Sequence, residues 1–188
     1  MTEQSDLGAR RTFERVIPET CDQALLELPL RSIADIEAIE RVPLDERLPV
    51  TNFSQRMALA LAARDADDTA IHYIEDGDID RPAHETSFRD LRANIERTAA
   101  LMRARGIGRN DVVAILLPAV PAIYWSILGA MSAGIAFPVN WMMEPSHVLH
   151  LIRESKARAV IALAPAPGFR IWESLMSIVG GLPADMPI

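Results

Sequence analysis

The sequence predicts an α/β fold: a three-layer parallel sheet with flanking helices, preceded by a partly helical arm. Three observations carry that expectation. Beyond residue 87, short β-branched apolar runs alternate with helical patterns of about ten residues in the order β-α-β-α-β-α. Such alternation implies parallel strands joined by right-handed crossovers, with helices on the sheet faces. Between Asp111 and Glu144 the chain carries no charge for thirty-two residues, as expected where a βαβ unit is buried on both faces. A chain of 188 residues that is 49% hydrophobic and 24% charged has the profile of one ordinary globular domain. At this size roughly 70% of the unfolded chain's surface is buried on folding, so no disulfide or metal is needed as a staple.

The elements follow in order. Residues 1–50 form an N-terminal arm, in which charges mix with Pro18, Pro29, Pro43 and Pro49. Its apolar clusters, Leu25, Leu26 and Leu28 and then Ile33, Ile36 and Ile39, are spaced for brief helices at most. Residues 51–188 form the α/β unit, incomplete at its far end. Its first helix is expected over 54–64, where Met57 and Leu61 keep one side apolar. A strand over 70–74 follows, then a polar loop with Gly77 and Pro82, and a short returning strand at Glu85 and Thr86. Ser87 can cap a helix carrying Phe88, Leu91, Ile95, Ala99 and Met102 at intervals of three and four, ended by Gly106. Residues 112–117 read as a buried strand, Pro121 opens an apolar helix through Ala133, and Gly134 ends it in the left-handed region. The remaining expectations are a strand over 135–139, a helix from Pro145 carrying Val148, Leu149 and Ile152, a strand over 159–164 and a helix over 170–179. Gly180-Gly181-Leu182-Pro183 has the composition that leads into a further strand, and a parallel edge without one stays open.

A formal net charge of −7 argues against nucleic acid as a partner. The six arginines between residues 87 and 109 read as the solvated face of a helix. Cys21 is the only cysteine, which excludes an internal disulfide and a cysteine-based zinc site, and points to a reducing, cytoplasmic compartment. The first thirty residues carry six acids and no continuous apolar core, so no secretory signal is expected. A hydropathy window would flag 119–137 as a membrane span, but Pro118, Pro121 and Pro138, with Gly129 and Gly134, fall where strand and helix boundaries are wanted.

The motifs that mimic chemistry read as structure. Gly106-Ile107-Gly108 follows a helix and opens a strand, the reverse of a phosphate loop. His147 and His150 lie one helical turn apart without a third ligand at metal spacing, and Asp76, Asp78 and Asp80 lack the glutamate that would close a calcium loop. Asn52-Phe53-Ser54 is a glycosylation sequon without meaning in the cytosol. No catalytic residue and no metal ligand is assigned. The segment singled out for binding is Asn140-Trp141-Met142-Met143, because it follows a parallel strand's carboxyl end and places an exposed Trp141 and Met142 in a turn; the alternative is that Trp141 and Met142 pack against the remainder of the domain.

Three segments resemble the adenylate-forming, or AMP-binding, superfamily, and in particular the opening portion of its acyl-CoA synthetases. Thr86-Ser87-Phe88-Arg89-Asp90-Leu91 is similar to the first core motif, T-Y-x-E-L, with Phe88 for tyrosine and Asp90 for glutamate. The stretch from Leu128 through Gly129, Gly134 and Pro138 to Asn140 is similar to the second, L-K-A-G-A-x-x-x-P-x-N. Between them, the run from Arg105 to Pro118 resembles the linking segment, with Asn110 and Ala119 as departures. The resemblance covers about Asn52 to Leu175 and implies a ligase fragment. In such enzymes a carboxylate attacks the α-phosphate of Mg-ATP, and CoA then displaces AMP from the acyl-adenylate. The resemblance also implies that the groups used for that chemistry, a Gly/Ser/Thr-rich loop with its lysine, a ribose-binding acid and a lysine on a mobile domain, lie further along. Lys156, the only lysine in the chain, follows no such loop and is expected at the surface. This chain alone is therefore expected to hold no cofactor and to be inert, with Mg-ATP and CoA belonging to the complete parent enzyme. The implied role of Asn140, Trp141, Met142 and Met143 is to line the CoA channel. The expected partner is the rest of a synthetase chain, or a protein covering the open sheet edge. A standalone ligand-binding or interaction module descended from such an enzyme is the alternative.

Overall fold

The computed structural model describes residues 30–41, 43, 46, 53–62, 64–78 and 80–188. Two units divide the chain, Met1–Thr51 and Asn52–Ile188. In the first, helix α1 spans Ile33–Glu40 and is fixed by its cap rather than by packing. The Asp35 N–H donates to the Ser32 hydroxyl while the Ser32 N–H donates back to the Asp35 carboxylate, a reciprocal capping box. Hydrogen bonds from the Arg31 N–H and then from the Ser32 hydroxyl and N–H hold the Asp35 carboxyl below its ordinary value of 3.8. No residue of α1 is buried, and Ile33 stays 75% exposed. The leucine cluster at 25–28, Cys21 and Asn52 lie outside the described residues.

In the second unit, α2 (Phe53–Ala62) precedes an antiparallel hairpin of β1 (Thr69–Tyr73) and β2 (His84–Ser87). The returning strand therefore forms where the sequence places it. Ser87 leaves β2 and caps α3 (Phe88–Ala104), accepting from the Asp90 N–H at 3.1 Å. The 3- and 4-residue apolar spacing becomes a buried stripe of Leu91, Ile95, Ala99 and Met102. Gly106 ends the helix at φ +79°, a conformation that glycine adopts without a Cβ penalty. The arginines of this helix are exposed and locally satisfied: Arg89 pairs with Asp67 at 2.8 Å, Arg92 with Glu96 at 2.9 Å, and Arg103 donates to the Ser132 carbonyl at 2.6 Å.

The parallel sheet comprises β3 (Val112–Leu116), β4 (Ile135–Pro138) and β5 (Ala157–Ala162), in the order β4-β3-β5. Helix α4 (Ala122–Ala133) joins β3 to β4, α5 (Pro145–Glu154) joins β4 to β5, and α6 (Ile171–Ile178) follows β5. The chain steps from β3 outward to β4, then crosses back over β3 to β5. Right-handed crossovers in opposite directions place α4 and α5 on opposite faces. The side chains record this alternation. Val113, Ile115 and Ala159 pack with α3 and α4 through Met102 and Ala130. Ala114, Leu116 and Val160 pack with α5 and α6 through Val148, Ile152, Ile171 and Leu175. The expected three-layer arrangement is thus observed.

Two local expectations are corrected. Gly134 has φ −154°, outside the left-handed region. Its need for glycine is steric: a Cβ would lie 2.5 Å from the Asp111 carbonyl oxygen and 2.8 Å from that of Gly108. Asp111 must come that close because its carbonyl accepts the Ile135 N–H at 2.9 Å, the bond that starts β4 beside β3. The last strand also begins two residues earlier than its β-branched content suggested, because Lys156 itself makes the turn at φ +53°.

The charge-free run folds as strand, helix and strand, and among the described residues no helix is long and apolar enough to cross a membrane. After α6, a 3₁₀ turn at Val179–Gly181 is held by Arg153, whose guanidinium donates twice to the Gly181 carbonyl, at 2.7 and 3.0 Å. Leu182 is buried, and the Pro187 carbonyl accepts the Val160 N–H at 3.0 Å. The segment after Gly180-Gly181 thus reaches the outer edge of β5 through one hydrogen bond, without forming the further strand that its composition suggested.

Candidate functional site

Because the strand order β4-β3-β5 reverses between β3 and β5, the carboxyl ends of those two strands bound a crevice, the place where open α/β sheets bind ligands. The loop from Asn140 to Met143 follows β4 at the same carboxyl rim. Its shape is set locally: the Asn140 carboxamide oxygen accepts the Met142 N–H at 3.0 Å, and its backbone carbonyl accepts the Met143 N–H at 3.3 Å. Pro145 then occupies the first turn of α5, where its missing N–H costs no hydrogen bond.

The loop divides by side chain. Met142 is 70% exposed. Trp141 was expected to be exposed as well, yet it is half-buried, edge-on to Phe169 with ring centroids 5.8 Å apart, and Met143 packs with it against the α5/α6 core. The aromatic partner comes from the loop after β5, which Gly168 turns at φ +80°. That turn also brings Arg170 and, from the first turn of α6, Ser174 to the rim. Together with Trp141, Met142, Met143 and Glu144 they line a groove of about 470 Å³. Two of the four predicted residues, Trp141 and Met143, form its apolar wall, Met142 stands free at its mouth, and Asn140 acts by shaping the turn. Sequence reasoning missed Phe169, Arg170 and Ser174. The available signal was the turn composition of Pro165-Ala166-Pro167-Gly168, which marks a second strand-end loop at the same rim.

The Arg170 guanidinium has no partner among the described residues and lines the groove together with an indole, two thioethers and the Glu144 carboxylate. Such a surface suits an elongated ligand with an apolar stretch and an anionic end. The other motifs lie elsewhere. His147 and His150 are exposed on α5, and among the described residues no three His, Cys, Asp or Glu side chains converge on a metal position. Asp78 accepts the Asp80 N–H at 3.1 Å and pairs with Arg81 at 3.2 Å. Lys156 is exposed at the end of α5.

Comparison with known proteins gives a consistent result. Residues 60–179 match the family model described as AMP-binding enzyme. A marinolic acid–CoA ligase of Pseudoalteromonas sp. (strain SANK 73390) is 25% identical over 149 residues, covering 79% of this chain and 23% of that ligase. The mitochondrial acyl-coenzyme A synthetase ACSM2B of Homo sapiens is 37% identical over 78 residues, 40% of this chain and 14% of that protein. Among solved structures, the anthranilate CoA ligase AuaEII in complex with anthranoyl-AMP gives a TM-score of 0.58 at 22% identity, over 77% of this chain and 24% of that one. A benzoate CoA ligase from Burkholderia xenovorans LB400 gives 0.57 at 21% identity, over 70% and 24%. These structural likenesses are likenesses of fold. The chain spans about a quarter or less of the length of each of these four proteins.

Proposed function

The chain belongs to the family of AMP-binding enzymes, and from that premise we propose that it is the N-terminal portion of an ATP-dependent acyl-CoA synthetase acting on a fatty or aryl carboxylate. The observation that carries the reading is the match over residues 60–179, in which the two core motifs and their linking segment stand in family order on α3, β3, α4 and β4. In the complete enzyme a carboxylate, ATP and CoA would give acyl-CoA, AMP and pyrophosphate. The residues here supply scaffold and one wall. The groove lined by Trp141, Met142, Met143 and Arg170 is the CoA-side wall in this reading, with the thioethers and indole against the thiol carrier's chain and the guanidinium free for an anionic group.

The groups that would hold Mg-ATP are not offered by these residues. Developing phosphate charge needs a cradle of backbone N–H groups and a lysine, and Lys156 is at an exposed helix end instead. The 188-residue chain is therefore inert on its own. Its partner is the rest of a synthetase chain, covering the α4 and β4 side where Tyr124, Met131 and Ile135 are exposed, and its compartment is the reducing cytosol.

The test is the protein's mass in its native source, paired with carboxylate-dependent ATP–pyrophosphate exchange. A mass well above 20.7 kDa, with exchange activity that co-purifies, is expected. A native mass of 20.7 kDa without exchange overturns the reading in favour of a standalone binding module. Robust exchange by the 188-residue chain overturns its inertness.

A further inference from the structure

At the pole opposite the crevice, a second groove of about 440 Å³ runs between the C-terminal segment, with Pro183, Asp185 and Pro187, and the start of β5. Two guanidiniums line it, Arg105 from the end of α3 and Arg158 from β5. Arg105 has no side-chain partner among the described residues. Arg158 reaches only Asp111, at 3.9 Å, with 61% of its side chain exposed, and the Asp111 carboxylate also accepts the Gly108 N–H at 2.8 Å. Arg158 owes its position to an irregularity in the sheet. Val112 pairs with Ala157 and Val113 with Ala159, so Arg158 is the extra residue of a bulge. Ala157 and Val160 consequently face the same core, and Arg158 is turned aside. Bulges of this kind are uncommon between parallel strands, and they serve to re-aim a side chain. The lining carries Arg105 and Arg158 against Asp185, a local charge of +1 in a chain of −7.

We propose that this groove is a binding site for a phosphoryl dianion held between Arg105 and Arg158. A guanidinium presents paired N–H donors that match phosphate oxygens, and two of them across one groove neutralise both charges of a dianion. The site is independent of the carboxyl-end crevice.

Isothermal titration of the 188-residue chain with inorganic phosphate at low ionic strength tests it. Saturable binding is expected, weakened at least tenfold in an Arg105→Gln/Arg158→Gln double variant, left unchanged in Arg81→Gln on the exposed hairpin loop, and strengthened in Asp185→Asn. Circular dichroism and the thermal midpoint confirm that each variant is folded. Equal binding of glycerol 3-phosphate supports the proposal and assigns the ligand as a phosphomonoester; binding of inorganic phosphate alone supports it and assigns the free ion. Absence of saturable binding, retention of affinity in the double variant, or equal weakening in Arg81→Gln overturns it.

Discussion

On the α5/α6 face of the sheet, Ile152, Ile171 and Leu175 are each 1% exposed, whereas on the opposite face α4, which carries no charge at all, leaves Tyr124 at 52% and Met131 at 40%. Hydrophobicity alone would rank the two the other way. The α5/α6 layer alternates apolar and polar positions, and its apolar stripe meets the sheet, Phe169 and Met186 as covering surfaces. Helix α4 turns its smallest residues, Ser126, Gly129 and Ala130, inward and approaches α3 so closely that a Cβ on Gly129 would lie 2.6 Å from the Thr98 Cβ. Ile123 and Ile127 pack against the sheet core, while Tyr124 and Met131 are left outside. One face is closed by bulky side chains, and the other largely by close backbone approach that leaves these two side chains uncovered.

The largest effect that would break this comparison is a truncation on the closed face. Leu175→Ala removes a fully buried side chain and should destabilise the unit by about 2–5 kcal/mol, whereas Tyr124→Ala or Met131→Ala should cost about 1 kcal/mol or less. Urea unfolding of the three variants measures this, and equal losses would show that the faces are not different. Gly134→Ala sharpens the comparison from the other side. Its new methyl would meet two carbonyl oxygens of the backbone rather than a yielding side chain, so a loss of about 2–3 kcal/mol is expected from adding a single carbon. A wild-type midpoint for that variant would mean that the α3/α4 face is loosely joined. The smallest effect has the opposite sign. Lys156→Gly relieves a left-handed residue at the end of α5 and should stabilise by about 1 kcal/mol, read as a rise of about 2–4 °C in Tm. A fall in Tm would show that the Lys156 side chain makes a contact worth more than its backbone strain.

Much of the fold is legible in the sequence wherever the deciding interaction spans few residues. Ser87 caps α3 through Asp90, three residues on, and Pro145 opens α5 through its own fixed geometry. The spacing of Leu91, Ile95, Ala99 and Met102 matches the buried stripe of α3 because a helix repeats its faces every 3.6 residues. Gly134 shows where this legibility fails. The sequence marks a helix end that requires glycine, but the reason lies in a carbonyl at Asp111, across the β3–β4 ladder. The candidate site divides along the same line. Its Asn140 turn is a short-range matter and was readable, while Trp141 was placed in solvent because nothing nearby in the chain identifies Phe169, twenty-eight residues on, as the ring that covers it.

The sequence by itself determined the order of elements, their caps and turns, the family motifs and the apolar character of the sheet, because each rests on periodicity or on bonds within a few residues. Only the tertiary structure decided the strand order β4-β3-β5, the assignment of α4 and α5 to opposite faces, the groove shared by Trp141 and Arg170, and the bulge that turns Arg158 outward. Those depend on which distant backbones hydrogen-bond to one another. Many pairings satisfy the same local pattern, and the packing of whole layers selects among them.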